Sequence, residues 1–175
     1  MEINPVEYFR EYDFAESLVQ RIAYRAELNQ LEFILLYMGF VPTIARPLDN
    51  PAFQYPWDFR RLLFEDVTGL ERTNSRLKVG FQGYDPANFN LPETITATIE
   101  VEAASVRKIV DARRTLTRYR AGVSLGALGV YRFDFGGLFA TQRLVQIVPL
   151  PGGAQCHADY QTGQRVDFDN PFDIQ

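Results

Sequence analysis

With 175 residues, 46% of them hydrophobic and 23% charged, the chain has enough apolar surface for a single domain spanning 1–175, and extended disorder is excluded. A formal net charge of -4 excludes a general nucleic-acid binder, which needs a positive field. One cysteine excludes an internal disulfide, and the longest apolar run, Phe33 to Met38, is too short to span a bilayer.

The chain opens on Asn4-Pro5-Val6-Glu7, a helix start in which Asn caps and Pro takes the first helical position. The helix should end near Tyr12. Residues 17–38 read as two strands, 17–25 and 30–38, around a turn at Ala26-Glu27-Leu28-Asn29. Leu31, Phe33, Leu35 and Tyr37 alternate strictly, and Leu18, Ile22 and Tyr24 share one strand face. The competing reading is a helix over 14–28. Pro42, Pro47, Pro51 and Pro56 then interrupt regular structure across 39–58, a loop whose Phe40, Phe53, Tyr55 and Trp57 should order it against the body, with Trp57 at least half buried.

Short apolar stretches follow at 61–64, 67–71 and 77–81. Residues 94–103 give the clearest strand pattern: Ile95, Ala97, Ile99, Val101 and Ala103 on one face, Thr94, Thr96, Thr98, Glu100 and Glu102 on the other. Val106, Ile109 and Val110 continue as a strand or a short helix. Further strands are expected at 116–121, 130–135 and 138–148, with Gly136-Gly137 as a hairpin turn between the last two. The class is therefore mainly β, at the margin of α+β: an antiparallel sandwich or open barrel with one short N-terminal helix.

The segments with a chemical look resolve into turns and surfaces. Cys156 and His157, the only cysteine and histidine, are adjacent, so in a strand they point to opposite faces, and no second histidine exists to complete a dyad or a zinc set. The expected role is none, a surface pair whose replacement is silent. Gly122-Val-Ser124-Leu-Gly126 spells a nucleophile elbow, but glycines and a strand follow it where a helix is required. Asp167, Asp169 and Asp173 lack the glycine and distal glutamate of a calcium loop and read as a solvated acidic tail whose Phe168, Phe172 and Ile174 dock on the body. Glu100 and Glu102, two apart on one strand face, have the spacing of a retaining glycosidase pair, which any wet sheet face also carries. No catalytic, cofactor-binding or metal-binding residue is expected, and the balance leans away from an enzyme.

The N-terminal MEINPVEYF has neither the basic region nor the apolar run of a secretory signal, so the expected location is cytoplasmic. Positive charge is carried almost wholly by arginine, Lys78 and Lys108 being the only lysines. Arginine suits planar contacts with carboxylates.

Two segments, Asp13-Phe-Ala-Glu-Ser17 before the first hairpin and Leu62-Leu-Phe64-Glu-Asp-Val67-Thr-Gly-Leu70, resemble motifs of small β-rich bacterial proteins linked to toxin-immunity systems. The resemblance covers about a quarter of the chain and implies binding to a partner protein. The expected function is thus a non-catalytic protein-interaction module, an immunity-type inhibitor being one form. The alternative is a small-molecule-binding β-barrel or an enzyme built on one, which would need a large enclosed cavity. The expected partner is a protein, not nucleic acid or membrane, and self-association is open. Arg46, Phe53, Tyr55, Trp57, Arg60 and Arg61 are the expected contact residues, since Trp, Tyr and Arg dominate binding hot spots.

Overall fold

The computed structural model describes residues 3–39, 56–74, 79–80, 89–90, 98–110 and 116–173. One helix, α1 (Pro5–Glu11), precedes ten strands: β1 (Leu18–Arg25), β2 (Gln30–Tyr37), β3 (Trp57–Glu65), β4 (Thr68–Asn74), β5 (Val79–Gly80), β6 (Ala103–Ile109), β7 (Arg118–Ser124), β8 (Val130–Phe135), β9 (Gly137–Pro149) and β10 (Gln155–Asp159). They form two antiparallel sheets, ordered β1-β2-β3-β9-β10 and β5-β4-β8-β7-β6, which are not closed into a barrel. Among the described residues no helix is long and apolar enough to cross a membrane.

Asn4 caps α1 as expected, its side chain accepting from the N–H groups of Val6 and Glu7. The strand reading of 17–38 holds. Asn29 closes the turn in the left-handed region, φ 50°, which asparagine tolerates. One detail differs. A bulge at Gln20 shifts the register, so Val19, not Leu18, lies on the buried face with Ile22.

Gly136-Gly137 is not a hairpin turn. β8 pairs with β4 and β7, whereas β9 pairs with β3 and β10. The chain bends at Gly136 and passes from one sheet to the other. Beside it, β3 passes into β4 at Asp66-Val67, and the two bent segments stay paired through the corner, with Glu65 opposite Gly137 and Thr68 opposite Asp134. Strands that change sheets at bends are the usual corner of an orthogonal sandwich. The corner is fastened by Arg118, which donates to the Asp66 carboxylate, the Asp66 carbonyl and Thr68 Oγ1. A Cβ on Gly136 would stand 3.1 Å from Asp66 Oδ2 and 3.2 Å from Asp66 Cβ, so a side chain here would have to push Asp66 aside by a few tenths of an ångström.

The expected strand at 94–103 is also corrected. Residues 94–97 lie outside the described set. Residues 98–102 keep an alternating burial but make only scattered bonds: Glu16 and Val19 donate to the carbonyls of Val101 and Ile99, Val101 N–H donates to the Ser17 carbonyl, and Glu102 N–H donates to the Ser124 carbonyl of β7. The ladder proper starts at Ala103, which is exposed with Glu102, because the chain steps there from the edge of the first sheet onto β7 of the second. Val106 and Ile109 belong to that strand, not to a helix.

The core between the sheets is aromatic. Phe64 stands edge-on to Phe33, Phe133 and Phe135, with ring centroids 4.9–6.0 Å apart, and Tyr131 meets Phe33 at 5.9 Å. α1 adds Tyr8 and Phe9 to this core and lies along β6, the outermost strand of its sheet. A second, smaller core lies on the outer face of the first sheet. There Phe59, Val145 and Val166 are buried beneath Trp57, Leu36, Phe168 and Phe172. The acidic tail docks through its phenylalanines, as its alternation implied.

Candidate functional site

Of the six expected contact residues, Arg46, Phe53 and Tyr55 lie outside the described residues. Trp57, Arg60 and Arg61 all lie on β3, but alternation divides them. Trp57 and Arg61 face outward, Arg60 inward. Trp57 is partly buried, its ring 5.0 Å from Phe168 and 5.7 Å from His157. Arg61 donates from Nε to Glu32 Oε2 at 2.6 Å, and Arg21 reaches the other oxygen of the same carboxylate at 3.6 Å. Glu32 is only 3% exposed, so two guanidinium groups hold one buried anion.

Arg60 is 4% exposed and forms the most elaborate polar cluster of the interior. Its Nε and Nη2 donate to the two carboxylate oxygens of Asp58 at 2.7 and 2.9 Å, and Nη1 donates to Tyr8 Oη at 3.2 Å. The guanidinium sits over the rings of Tyr12 and Tyr37 at 4.5 and 4.9 Å. Gln142 adds a bond to Asp58 Oδ2. Burial alone would lower the Arg60 pKa, but the hydrogen bonds and charge of Asp58 outweigh it and the net shift is upward. Burial raises Tyr8, against the opposing pull of Arg60. The guanidinium is thus fixed between the Asp58 carboxylate, the Tyr8 hydroxyl and two tyrosine rings. The sequence signal was available: Asp58 and Arg60, two apart on a strand, share a face with Leu62 and Phe64, and inward charges of opposite sign at that spacing must pair.

Cys156 and His157 lie in β10 and, as adjacent strand residues, cannot meet. His157 is not the idle surface residue expected. Its ring packs 4.6 Å from Phe168, and its carbonyl accepts from Val166 N–H. Ser124 ends β7 in the other sheet and donates to Glu102 Oε2 at 3.0 Å. A 3-10 turn, Gly126–Leu128, follows with positive φ at Gly126 and Gly129, so the Gly-x-Ser-x-Gly stretch is a strand end that runs into a turn, not a strand that runs into a helix. Among the described residues no His, Cys, Asp and Glu side chains gather as a metal-ligand group.

Among the described residues, two voids differ in kind. The one inside the core, between α1 and the sheets, is about 10 Å³ and wholly apolar. The other, about 190 Å³, lies at the outer face of the first sheet and is lined by Arg143, Asp159, Thr162, Gln164, Arg165 and Val166. Arg143 Nε stands 3.4 Å from Asp159 Oδ2, and Nη1 donates to the Pro171 carbonyl at 2.9 Å.

The outer face of the second sheet remains open. Its rows bring Arg107 opposite Arg120, Arg120 opposite Asp134, and Arg132 opposite both Gly122 and Glu71. Arg120 is paired with Asp134 at 2.8 Å. Arg107 and Arg132 are exposed and without an ion pair among the described residues. Val110 and Leu116, 89% and 72% exposed, flank the β6–β7 connection. Set against known proteins, the chain matches no family model, no curated protein and no solved structure.

Proposed function

We propose that the chain is a non-catalytic protein-interaction module that meets its partner through the outer face of the second sheet, an immunity-type inhibitor being one form of such a protein. The observation that carries the reading is the contrast, among the described residues, between an aromatic core with a void of about 10 Å³ and an open sheet face that presents arginines from adjacent strands. The core that the described residues form is packed with aromatic rings, whereas ligand pockets run to roughly 300–1,000 Å³. Trp57, Arg60 and Arg61 are engaged within the chain, whereas Arg107 and Arg132 are exposed and make no ion pair among the described residues, and exposed Val110 and Leu116 supply apolar area nearby. Arginine at such positions is a common interface anchor.

The test is affinity capture from the native host with wild type and with Arg107→Glu/Arg132→Glu. The captured protein is then purified and mixed with each form for size-exclusion chromatography. Co-elution with wild type and its loss in the folded double variant would support the reading. Equal co-elution with both forms would place the contact elsewhere.

A further inference from the structure

We infer that the cavity of about 190 Å³ between β9, β10 and the turn at 159–166 is a binding site for a small oxyanion, a phosphate or a carboxylate. The inference is independent of the proposed partner surface, which lies on the other sheet. It begins with an imbalance of charge. Arg143 and Arg165 line the cavity against a single acid, Asp159. That acid is already fully used: Oδ1 accepts from the N–H groups of Gln161 and Thr162, both at 2.9 Å, and Oδ2 faces Arg143 Nε.

Arg143 is not saturated by these contacts. Its side chain is 20% exposed, and of its nitrogens Nε faces Asp159 and Nη1 serves the Pro171 carbonyl, while Nη2 has no acceptor among the described residues. The guanidinium is held in place by Phe172, whose ring lies 5.8 Å away. Such a group holds its remaining Nη2 N–H donors in a fixed direction and loses little freedom on binding an anion. Arg165 is exposed and has no ion pair among the described residues, so it can close over a bound anion. Thr162 Oγ1 accepts from Gln164 N–H at 3.2 Å and so keeps its own hydrogen to donate. The lining therefore offers two cations, a hydroxyl and an amide toward a space that suits several waters or one small anion.

The test is NMR titration of the full chain with inorganic phosphate and, separately, with succinate. Sodium chloride at matched ionic strength serves as control. Saturable shifts of the Arg143 Nε–H and of the Thr162 and Gln164 amides are expected with at least one oxyanion, and the arm that responds names its class. Two variants act in opposite directions. Arg165→Gln should weaken binding about tenfold, the worth of one charge-assisted hydrogen bond. Asp159→Asn keeps the turn acceptor at Oδ1, removes the competing charge and should tighten binding severalfold. Shifts that match chloride, or affinities indifferent to both variants, would overturn the site.

Discussion

The two sheets have the same strand number and antiparallel pairing, yet they stand in different surroundings. The first is covered on both faces: the common core lies beneath it and the C-terminal segment lies over much of its outside. In β2 only Gln30 and Leu36 escape the buried class, so the strand reads as a nearly continuous apolar run around Glu32. The second sheet has one wet face, and β8 alternates accordingly, with Tyr131, Phe133 and Phe135 buried and Arg132 exposed. The difference explains how each handles charge. On β2 and β3 the first sheet buries its carboxylates against arginines, Asp58 with Arg60 and Glu32 with Arg61 and Arg21. The second displays arginines in water, where pairing is optional and worth little. Stability should therefore be concentrated in the first sheet, and the freedom to meet a partner in the second.

The sharpest way to break that comparison is at Arg60. Arg60→Met leaves Asp58 as a buried, unpaired charge and should cost about 3–5 kcal/mol. Asp58→Asn/Arg60→Met, which removes both charges, should recover much of the loss. Chemical denaturation of the two variants decides it. If the double variant is no better than the single one, the cluster is not an ion pair closed on itself.

The covering of the first sheet is tested by Phe168→Ala. Fully buried Phe→Ala changes cost about 3–5 kcal/mol, and a partly buried ring that seals Trp57 and Phe59 should cost about 2 kcal/mol. His157→Ala, which removes one wall of the same cluster, should cost about 1 kcal/mol. Both should red-shift Trp57 emission. Unchanged stability and emission would mean the C-terminal segment lies on the sheet without sealing it.

Much of the fold was legible because a strand's side chains alternate between faces: Leu31, Phe33, Leu35 and Tyr37 share the core face and their strand is where it was expected, although Glu32 and Ile34 between them are buried too. What alternation does not report is which sheet a strand joins. Gly136-Gly137 has hairpin chemistry, and only the tertiary pairing of β9 with β3 turns it into a corner. A clue did exist in Leu62, Phe64, Val67 and Leu70. Their spacing of two, three and three departs from a strand's period, and the departures fall at the Asp66 bend and at the Gly69 irregularity in register. The candidate sites were legible only as exclusions. The anion cavity joins Arg143 on one strand to Asp159 and Arg165 around a later turn, and separations of that kind leave no local pattern.

Tyrosine titration probes the interior that the two sheets share, and so should not separate them. Burial raises Tyr8, Tyr37 and Tyr131 above the ordinary tyrosine value of about 10. The folded state therefore keeps these protons longer than the unfolded state does. Below pH 10 both states are neutral and the contribution is constant. Above it the unfolded chain ionises first, and stability falls as pH rises through the folded values. Absorbance at 295 nm should show Tyr8, Tyr37 and Tyr131 titrating late, together with the loss of tertiary signal. Free titration of all three in the folded protein would contradict the burial of these side chains.

The smallest expected effect lies on the open face. Arg132→Ala removes an exposed side chain without an ion pair and should change stability by no more than about 0.5 kcal/mol. Arg107 faces Arg120 directly across the β6–β7 ladder, and like charges opposite one another on a sheet are unfavourable. Arg107→Ala should therefore be neutral or slightly stabilising at low salt. The gain should fade near 1 M salt, where the screening length falls to about 3 Å. Urea denaturation of each variant at low and high salt measures both points. A loss above about 1 kcal/mol in either variant, of the size expected for Phe168→Ala or His157→Ala, would erase the contrast between the sheets. It would show that the second sheet also rests on its outer face, and that its arginines stand in the fold and not free for a partner.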